Sequence, residues 1–177
     1  MNKHDASTAQ ASPRPAAPDD TPALLALATA TGIFGPGEVE GLLGGVLEDL
    51  HAGRLGDGHS AWVWGGGPSE PPAGWVYFSP VDKADGVWNL WWIGVDPARQ
   101  RAGVGGGMLR SVEGHVRAAG GRLLLVETSD QPGFDPVRRF YATRGYTDCG
   151  RVPDYYADGD GKVTYVKRVA DQAGVGM

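Results

Sequence analysis

The stretch VDPARQRAGVGGGMLRSV, residues 95–112, decides the fold because a strand pattern ends in it and a helix pattern begins. Immediately before it lies the apolar run VWNLWWIGV, residues 87–95, which predicts a strand. Within the stretch, Val104, Met108 and Val112 recur every four residues, which predicts an amphipathic helix. Each glycine at 105–107 would cost this helix up to about 1 kcal/mol relative to alanine. Local helix stability therefore does not explain these glycines.

A glycine-rich turn between a strand and a helix is suited to bind an anion. The first N–H groups of a helix have no partner inside the helix and lie at the positive end of its dipole. Glycines let a phosphate approach this backbone closely, which suits a diphosphate. The chain holds 29 glycines, so their spacing alone means little. Position is informative, because only Gly103 and Gly105 form a G-x-G triple between a strand and an amphipathic helix.

Two other phosphate-binding patterns are absent from this turn. No Gly-Lys precedes Ser or Thr here, as a P-loop requires, and Met108 occupies the last position of G-x-G-x-x-G/A. A dinucleotide-dependent dehydrogenase is therefore not expected. Residues 97–151 hold 9 arginines and 5 acids, a local sum of 9 − 5 = +4 in a chain of net charge −5. This asymmetry fits a local anionic ligand, but arginines on solvated helix faces would give the same sum.

The patterns on either side of the turn predict an α+β fold with a mixed sheet. The apolar run Leu123–Val126 follows the helix and predicts a buried strand parallel to the preceding one. Upstream, Ser60–Trp64 and Trp75–Val81 lead into Val87–Val95, which predicts an antiparallel meander. The other predicted elements are a short strand at Ser12–Ala16, helices at Pro22–Thr31, Glu38–His51 and Asp135–Arg144, and strands at Tyr146–Val152 and Lys162–Val169.

Length and composition are typical of a single globular domain. The chain has 177 residues, 41% of them hydrophobic and 21% charged, within the usual range of roughly 100–200 residues per domain. No apolar run reaches the roughly 18 residues of a membrane span, and no signal-peptide core occurs near the start. We expect a disordered tail at 1–11, one domain at 12–169, a frayed tail at 170–177 and a cytoplasmic location.

Two motifs in this order resemble the GNAT N-acetyltransferase superfamily. Residues 95–105, VDPARQRAGVG, are similar to its V-x-P-x-x-[QR]-x-x-G-x-[GA] motif, and residues 140–146, FYATRGY, are similar to its F-Y-x-x-x-G-[FY] motif. The resemblance implies a three-layer α/β/α arrangement. Its mixed, mostly antiparallel twisted sheet would contain a central parallel βαβ unit and a splay between the fourth and fifth strands.

The resemblance also implies acetyl-CoA as acyl donor, with the pyrophosphate bound by backbone N–H groups after the fourth strand. The end of that strand would pair with the pantetheine arm. One position departs from the family, because Phe134 stands where an asparagine often contacts pantetheine. The implied cofactor-binding residues are Ile93, Val95, Gln100, Arg101, Ala102, Gly103, Val104, Gly105 and Gly106, together with Tyr141.

Two catalytic roles follow from the chemistry of amine acylation. Freeing an amine of pKa near 10.4 at pH 7 costs about 4–5 kcal/mol, so a general base or an ordered water chain must accept a proton. Glu127, which follows an apolar strand run, is the candidate base, and Asp130 or a water relay stays open. Tyr141 matches the family tyrosine beside the thioester sulfur. A phenol near pKa 10 favours hydrogen bonding to the thiolate over full proton transfer, unless Arg138 or Arg144 lowers its pKa.

Transfer is expected to be direct, in a ternary complex, because the single cysteine, Cys149, lies outside both motifs and is predicted to be a buried small residue. The acceptor is an amine on a small molecule or a protein. Asp154, Tyr155 and Tyr156, placed in a loop between the last two strands, weakly favour a cationic acceptor. A non-catalytic acyl-CoA sensor is the alternative, and an enzyme for longer acyl chains is a third interpretation.

Other partners are not expected from the sequence. The four histidines are scattered and no H-E-x-x-H motif occurs, so we expect no metal site. The acidic net charge argues against nucleic acid, and the hydropathy argues against a membrane partner. Whether the chain forms a homodimer stays open.

Overall fold

The computed structural model describes residues 12–35, 37–66 and 70–170, and it contains one mixed seven-stranded sheet. The strand order is β1-β2-β3-β4-β5-β7-β6. The strands are β1 Pro13–Pro15, β2 Ser60–Trp64, β3 Gly74–Pro80, β4 Val87–Val95, β5 Leu123–Ser129, β6 Thr147–Ala157 and β7 Asp160–Arg168. The helices in the described ranges are α1 Thr21–Thr31, α2 Gly45–His51, α3 Val104–Ala118 and α4 Asp135–Ala142.

Strands β4 and β5 form the parallel pair that the sequence predicts, and α3 connects them. Their register runs from Val87 opposite Leu123 to Leu90 opposite Val126, and both strands continue past this paired stretch. The pairs β1–β2, β2–β3, β5–β7 and β6–β7 are antiparallel. The predicted α+β class with a mixed, mostly antiparallel sheet and a central βαβ unit is confirmed.

The chain divides into two compact units, and each has its own apolar core. The first comprises the described residues up to Phe78 together with Trp92–Val112, and the second comprises Ser79–Trp91 and the described residues from Glu113 onward. In the first unit, leucines of α1 and α2 pack with β2 and β3; its buried members include Leu24, Leu27, Leu43, Leu47, Val63 and Trp75. In the second, the fully or almost fully buried residues include Leu124, Val126, Tyr141, Tyr146, Val163 and Tyr165.

The predicted helix at Glu38–His51 is present but begins irregularly. Val39–Gly44 form a π-helical segment, and regular α-helix follows as α2. Glycines at 41, 44 and 45 weaken the α-helical preference of this segment. Val39 and Leu43 are buried, so the wider turn still presents its apolar side to the core.

The last two strands are longer than predicted, and this corrects two expectations. Asp154, Tyr155 and Tyr156 lie in β6 and not in a loop. Pro153 is tolerated because β6 is an edge strand, and register shifts between Asp148 and Gly150 and between Val152 and Ala157 absorb the irregularity. Cys149 is exposed, so the prediction of a buried thiol is wrong. The cause is that every residue of β6 is exposed.

The remaining boundaries agree closely with the sequence patterns. The short first strand lies within Ser12–Ala16, and α1 ends at Gly32, whose φ of 66° is the left-handed conformation that glycine adopts without strain. The expected tail at 1–11 falls outside the described residues, as do residues 171–177. No helix in the described ranges is long and apolar enough to cross a membrane.

Candidate active site

The turn after β4 begins with a short, well-bonded 3-10 segment, Pro97–Arg99. The Asp96 carboxylate accepts a hydrogen bond from the Ala98 N–H at 2.9 Å, and the Asp96 carbonyl accepts one from the Arg99 N–H at 2.8 Å. The Asp96 N–H itself donates to the Ala73 carbonyl at 2.9 Å. These bonds fix the end of β4 and the start of the turn.

The next residues form a short row of backbone N–H groups, residues 100–103, in which the Ala102 N–H donates to the Arg99 carbonyl at 3.4 Å. Arg101 and Gly103 have φ of 66° and 83°, in the left-handed region, and Gln100 between the 3-10 segment and Arg101 is extended. An exposed non-glycine residue at positive φ is uncommon and indicates a constrained turn. Left-handed residues in a turn can direct neighbouring N–H groups to a common side, which is the kind of backbone that binds anions.

Helix α3 starts directly after this row. Its first backbone hydrogen bond runs from the Gly107 N–H to the Gly103 carbonyl, at 2.9 Å. The N–H groups of Val104, Gly105 and Gly106 precede that bond and lie at the positive end of the helix dipole. We call residues 100–106 the cradle. It contains all seven of the turn and helix positions that the sequence predicted for the pyrophosphate.

Packing, and not only the cradle, explains the third glycine of the run. A Cβ built on Gly107 would lie 2.6 Å from Cη2 of Trp64, and one on Gly74 would lie 2.7 Å from Cε of Met108. Both distances are too short for real atoms, so the first turn of α3 packs against neighbouring strands only because these side chains are absent. The sequence analysis assigned no role to Trp64, which no local pattern connects to residue 107.

The end of β4 carries the two residues predicted to pair with pantetheine. Ile93 and Val95 are half-buried and pack against a small cluster of Ala73, Val104 and Met108. Their side chains therefore anchor the end of the strand. The predicted contact to pantetheine stays a prediction.

Glu127 lies inside β5 and not after it, because this strand extends to Ser129. Its carboxylate forms an ion pair with Lys162 of β7 at 2.9 Å, between partners whose side chains are 29% and 14% exposed. The Lys162 ammonium also lies 4.1 Å from the centroid of the Tyr155 ring. Hydrogen bonding to Glu127 raises the pKa of Lys162. The candidate base therefore has a cation as its direct partner.

Tyr156 completes this group of side chains near Glu127. Tyr156 is 48% exposed, but desolvation of the covered part of its ring and, secondarily, the negative charge of Glu127 raise its pKa to about 12. The phenol therefore stays protonated at neutral pH. Asp130, the alternative base, is engaged elsewhere, because its carboxylate accepts a hydrogen bond from the Gly161 N–H at 2.9 Å.

Tyr141 of α4 is almost completely buried, with 4% of its surface exposed. Its ring packs edge-on against Tyr146, with centroids 5.5 Å apart, and lies 6.3 Å from Tyr165. Burial raises the pKa of Tyr141 well above its ordinary value of about 10. The hydroxyl is therefore a donor over the whole physiological pH range.

Neither nearby arginine acts as the sequence analysis allowed. Arg138 donates to the carbonyl oxygens of Ser129 and Gln131, at 2.5 and 3.0 Å. Arg144 donates to the Phe140 carbonyl at 2.9 Å, and its guanidinium lies 3.8 Å from the Phe140 ring centroid. Since the pKa of Tyr141 is raised and not lowered, the hydrogen-bonding interpretation is favoured over full proton transfer.

Comparison with known proteins identifies the family. A family model described as the acetyltransferase (GNAT) family matches residues 41–146. A solved structure from Desulfovibrio desulfuricans, assigned to the GNAT acetyltransferases, is 31% identical with a TM-score of 0.81, over 91% of this chain and 100% of that one. The chain belongs to the GNAT acetyltransferase family. No curated protein sequence matches significantly.

More distant GNAT structures share the fold with this family member. The ribosomal-protein-S18-alanine N-acetyltransferase from Escherichia coli is 15% identical with a TM-score of 0.72, over 95% of this chain and 99% of that one. An aminoglycoside 6'-N-acetyltransferase complexed with coenzyme A is 17% identical with a TM-score of 0.69, over 91% and 98%. In the described part of the GNAT chain, no group of three or more His, Cys, Asp or Glu side chains could hold a metal ion.

Proposed function

We propose that this GNAT chain is an N-acetyltransferase that uses acetyl-CoA as acyl donor and an amine as acceptor. The observation that carries the proposal is the cradle, where left-handed Arg101 and Gly103 precede a helix whose first bonded N–H belongs to Gly107. A diphosphate fits such a site, because free N–H groups and the helix dipole both favour an anion. The close packing of Gly107 on Trp64 holds the first turn of α3 in place.

Bound acetyl-CoA would supply an acetyl group activated as a thioester. In the proposed step, the acceptor nitrogen forms a C–N bond to the acetyl carbon, the C–S bond breaks, and the sulfur leaves as a thiolate. Tyr141 is proposed to donate a hydrogen bond to that sulfur. Its raised pKa supports this role, because the hydroxyl does not ionise near neutral pH. Donors aimed at developing charge are a strong source of catalysis.

Glu127 is proposed to accept the proton that the acceptor amine loses. One of its oxygens forms the ion pair with Lys162, and the Glu127 side chain is 29% exposed. Lys162 keeps the carboxylate oriented through a charge-assisted hydrogen bond, as oriented bases require. An ordered water chain, in place of Glu127, is the alternative acceptor for the same proton.

The proposed transfer needs no covalent enzyme intermediate. Cys149 lies on exposed strand β6, and its thiol contacts the Thr164 carbonyl oxygen at 3.4 Å. We therefore expect Cys149→Ala to retain wild-type turnover. Loss of turnover in a well-folded Cys149→Ala protein would contradict direct transfer.

Two measurements test the proposal together. Isothermal calorimetry with coenzyme A tests the cradle, and thiol release from acetyl-CoA in the presence of a panel of amines tests catalysis. The panel should pair cationic acceptors, such as polyamines and aminoglycosides, with neutral primary amines, because a cationic acceptor is the expectation from the sequence. If coenzyme A binds but no amine in the panel produces thiol release, the chain is better described as an acyl-CoA sensor. If coenzyme A does not bind, the proposed function is wrong.

A further inference from the structure

A buried anion, Glu113, is connected to Tyr141 through Tyr146, and the proposed chemistry does not use it. Glu113 of α3 is 7% exposed. Its two carboxylate oxygens accept hydrogen bonds from the Lys167 ammonium at 2.9 and 3.0 Å, and one of them also accepts from the Tyr146 hydroxyl at 3.0 Å. The carboxylate is therefore fully partnered, by one cation and one phenol.

Tyr146 links this anion to Tyr141. The Tyr146 N–H donates to the Tyr141 carbonyl at 3.2 Å, and the two rings meet at 61° with centroids 5.5 Å apart. The hydroxyl at the far end of Tyr146 is held by Glu113. The ring that packs against Tyr141 is thus fixed at both ends, by backbone on one side and by a charged acceptor on the other.

Stability alone does not account for this arrangement. A phenylalanine at position 146 would fill the same apolar space without requiring the buried Glu113 carboxylate, whose cationic partner Lys167 has a side chain that is 28% exposed. Replacing a buried ion pair with apolar residues of similar volume is often neutral or stabilising. The Tyr146 hydroxyl adds a fixed orientation, because its hydrogen bond to the Glu113 carboxylate restricts the tilt of the Tyr146 ring.

We propose that Glu113 and Tyr146 are positioning residues, which hold the Tyr141 ring so that its hydroxyl points at the leaving sulfur. This inference rests on the proposed function, in which Tyr141 donates to that sulfur. Neither residue contacts the reacting atoms in this account. They act through Tyr141 alone.

Tyr146→Phe is the central test, since it removes one oxygen atom and keeps the ring. We expect kcat to fall about tenfold, with KM for acetyl-CoA changed less than about twofold, because small misplacements of a catalytic group are costly. In protein labelled with 13C at tyrosine Cζ, the Tyr141 resonance should shift in the Tyr146→Phe variant. Glu113→Gln, which keeps a neutral acceptor for Tyr146, should lower kcat less than Tyr146→Phe does.

Tyr77→Phe is the matched control. It removes a hydroxyl that hydrogen-bonds His59 at 2.6 Å in the first unit, far in sequence from Tyr141. We expect it to lower thermal stability without changing kcat or the Tyr141 resonance. Unchanged kcat and an unmoved Tyr141 resonance in Tyr146→Phe would overturn the inference, as would an equal loss of kcat in Tyr77→Phe. If Tyr141→Phe itself keeps kcat, the proposed role of Tyr141 fails, and the resonance of Tyr141 still decides whether Tyr146 positions it.

Discussion

Tyr141 shows how burial converts an ordinary side chain into a hydrogen-bond donor that does not ionise. Its pKa is raised by desolvation, and the two arginines nearest in sequence bind backbone carbonyls instead of lowering it. Full transfer of its proton to a thiolate, whose thiol has a reference pKa of about 8.5, would be strongly uphill. A hydrogen bond to the sulfur costs no such ionisation.

Tyr141→Phe should therefore lower kcat by about 100–1,000-fold, the range that loss of one donor to a developing anion produces. Coenzyme A affinity should change little, because the cradle supplies the diphosphate contacts. Stopped-flow or steady-state thiol release and calorimetry on the same preparation measure both quantities. An unchanged kcat would show that Tyr141 is only a core residue.

Glu127→Gln should lower kcat at pH 7 by about 100-fold or more, since general base catalysis contributes roughly that much. The substitution keeps the size of the side chain and leaves Lys162 with a neutral partner. Lys162→Gln provides the comparison, because it disturbs the same pair while leaving the carboxylate in place. Equal, small effects from both variants would indicate that the pair is structural and that a different group accepts the proton.

The contacts of these residues were only partly predictable from the sequence. The F-Y-x-x-x-G-Y segment predicted a role for Tyr141 because the motif is local, within seven residues. Lys162 and Glu113 escaped prediction because their partners, Glu127 and Tyr146, lie 35 and 33 residues away along the chain. Such pairs arise from strand register and helix packing, which a single sequence does not specify.

At the scale of elements, the turn from β4 to α3 needs glycine for two different reasons, which the sequence alone does not distinguish. Gly103 serves the backbone, with φ of 83° and open space where its side chain would be, whereas Gly107 serves packing against Trp64. Periodicity predicted both the strand and the helix, but it could not separate these two uses of glycine. Likewise, Pro153 suggested a loop, and only the edge position of β6 shows why the strand continues through it.

Alanine substitutions should separate the two uses. Gly103→Ala should lower coenzyme A affinity by about tenfold with a stability loss near 1 kcal/mol, because alanine resists positive φ. Gly107→Ala should lower stability by about 1–3 kcal/mol, because its Cβ would overlap Trp64. Urea unfolding and calorimetry measure the two effects. A Gly107→Ala protein as stable as wild type would show that Trp64 moves aside freely.

At the scale of the whole molecule, the buried tyrosines make stability depend on alkaline pH. Burial raises the pKa of Tyr141, and burial together with Glu113 raises that of Tyr146. Both phenols keep their protons in the folded chain after the unfolded chain begins to lose them near pH 10. The folded state then binds more protons than the unfolded state, so the stabilisation is complete below pH 10 and declines as pH rises above it.

Each such tyrosine should contribute a loss of up to about 1.4 kcal/mol per pH unit above pH 10. Urea midpoints measured from pH 8 to pH 11 should therefore fall steeply for the wild type and less steeply for Tyr146→Phe. Tyr155→Phe, at an exposed position, should follow the wild-type slope. Parallel slopes for the wild type and Tyr146→Phe would contradict the burial of the Tyr146 hydroxyl in solution.

Because Trp64 lies against Gly107, its fluorescence should respond to ligand binding at the start of α3. An indole ring held against the first helical turn experiences the electric field of whatever binds there. A bound diphosphate would change that field, and the change should shift the 19F resonance of a fluorinated tryptophan at position 64. Binding of the diphosphate at the start of α3 could then be followed without turnover and without a label on the ligand.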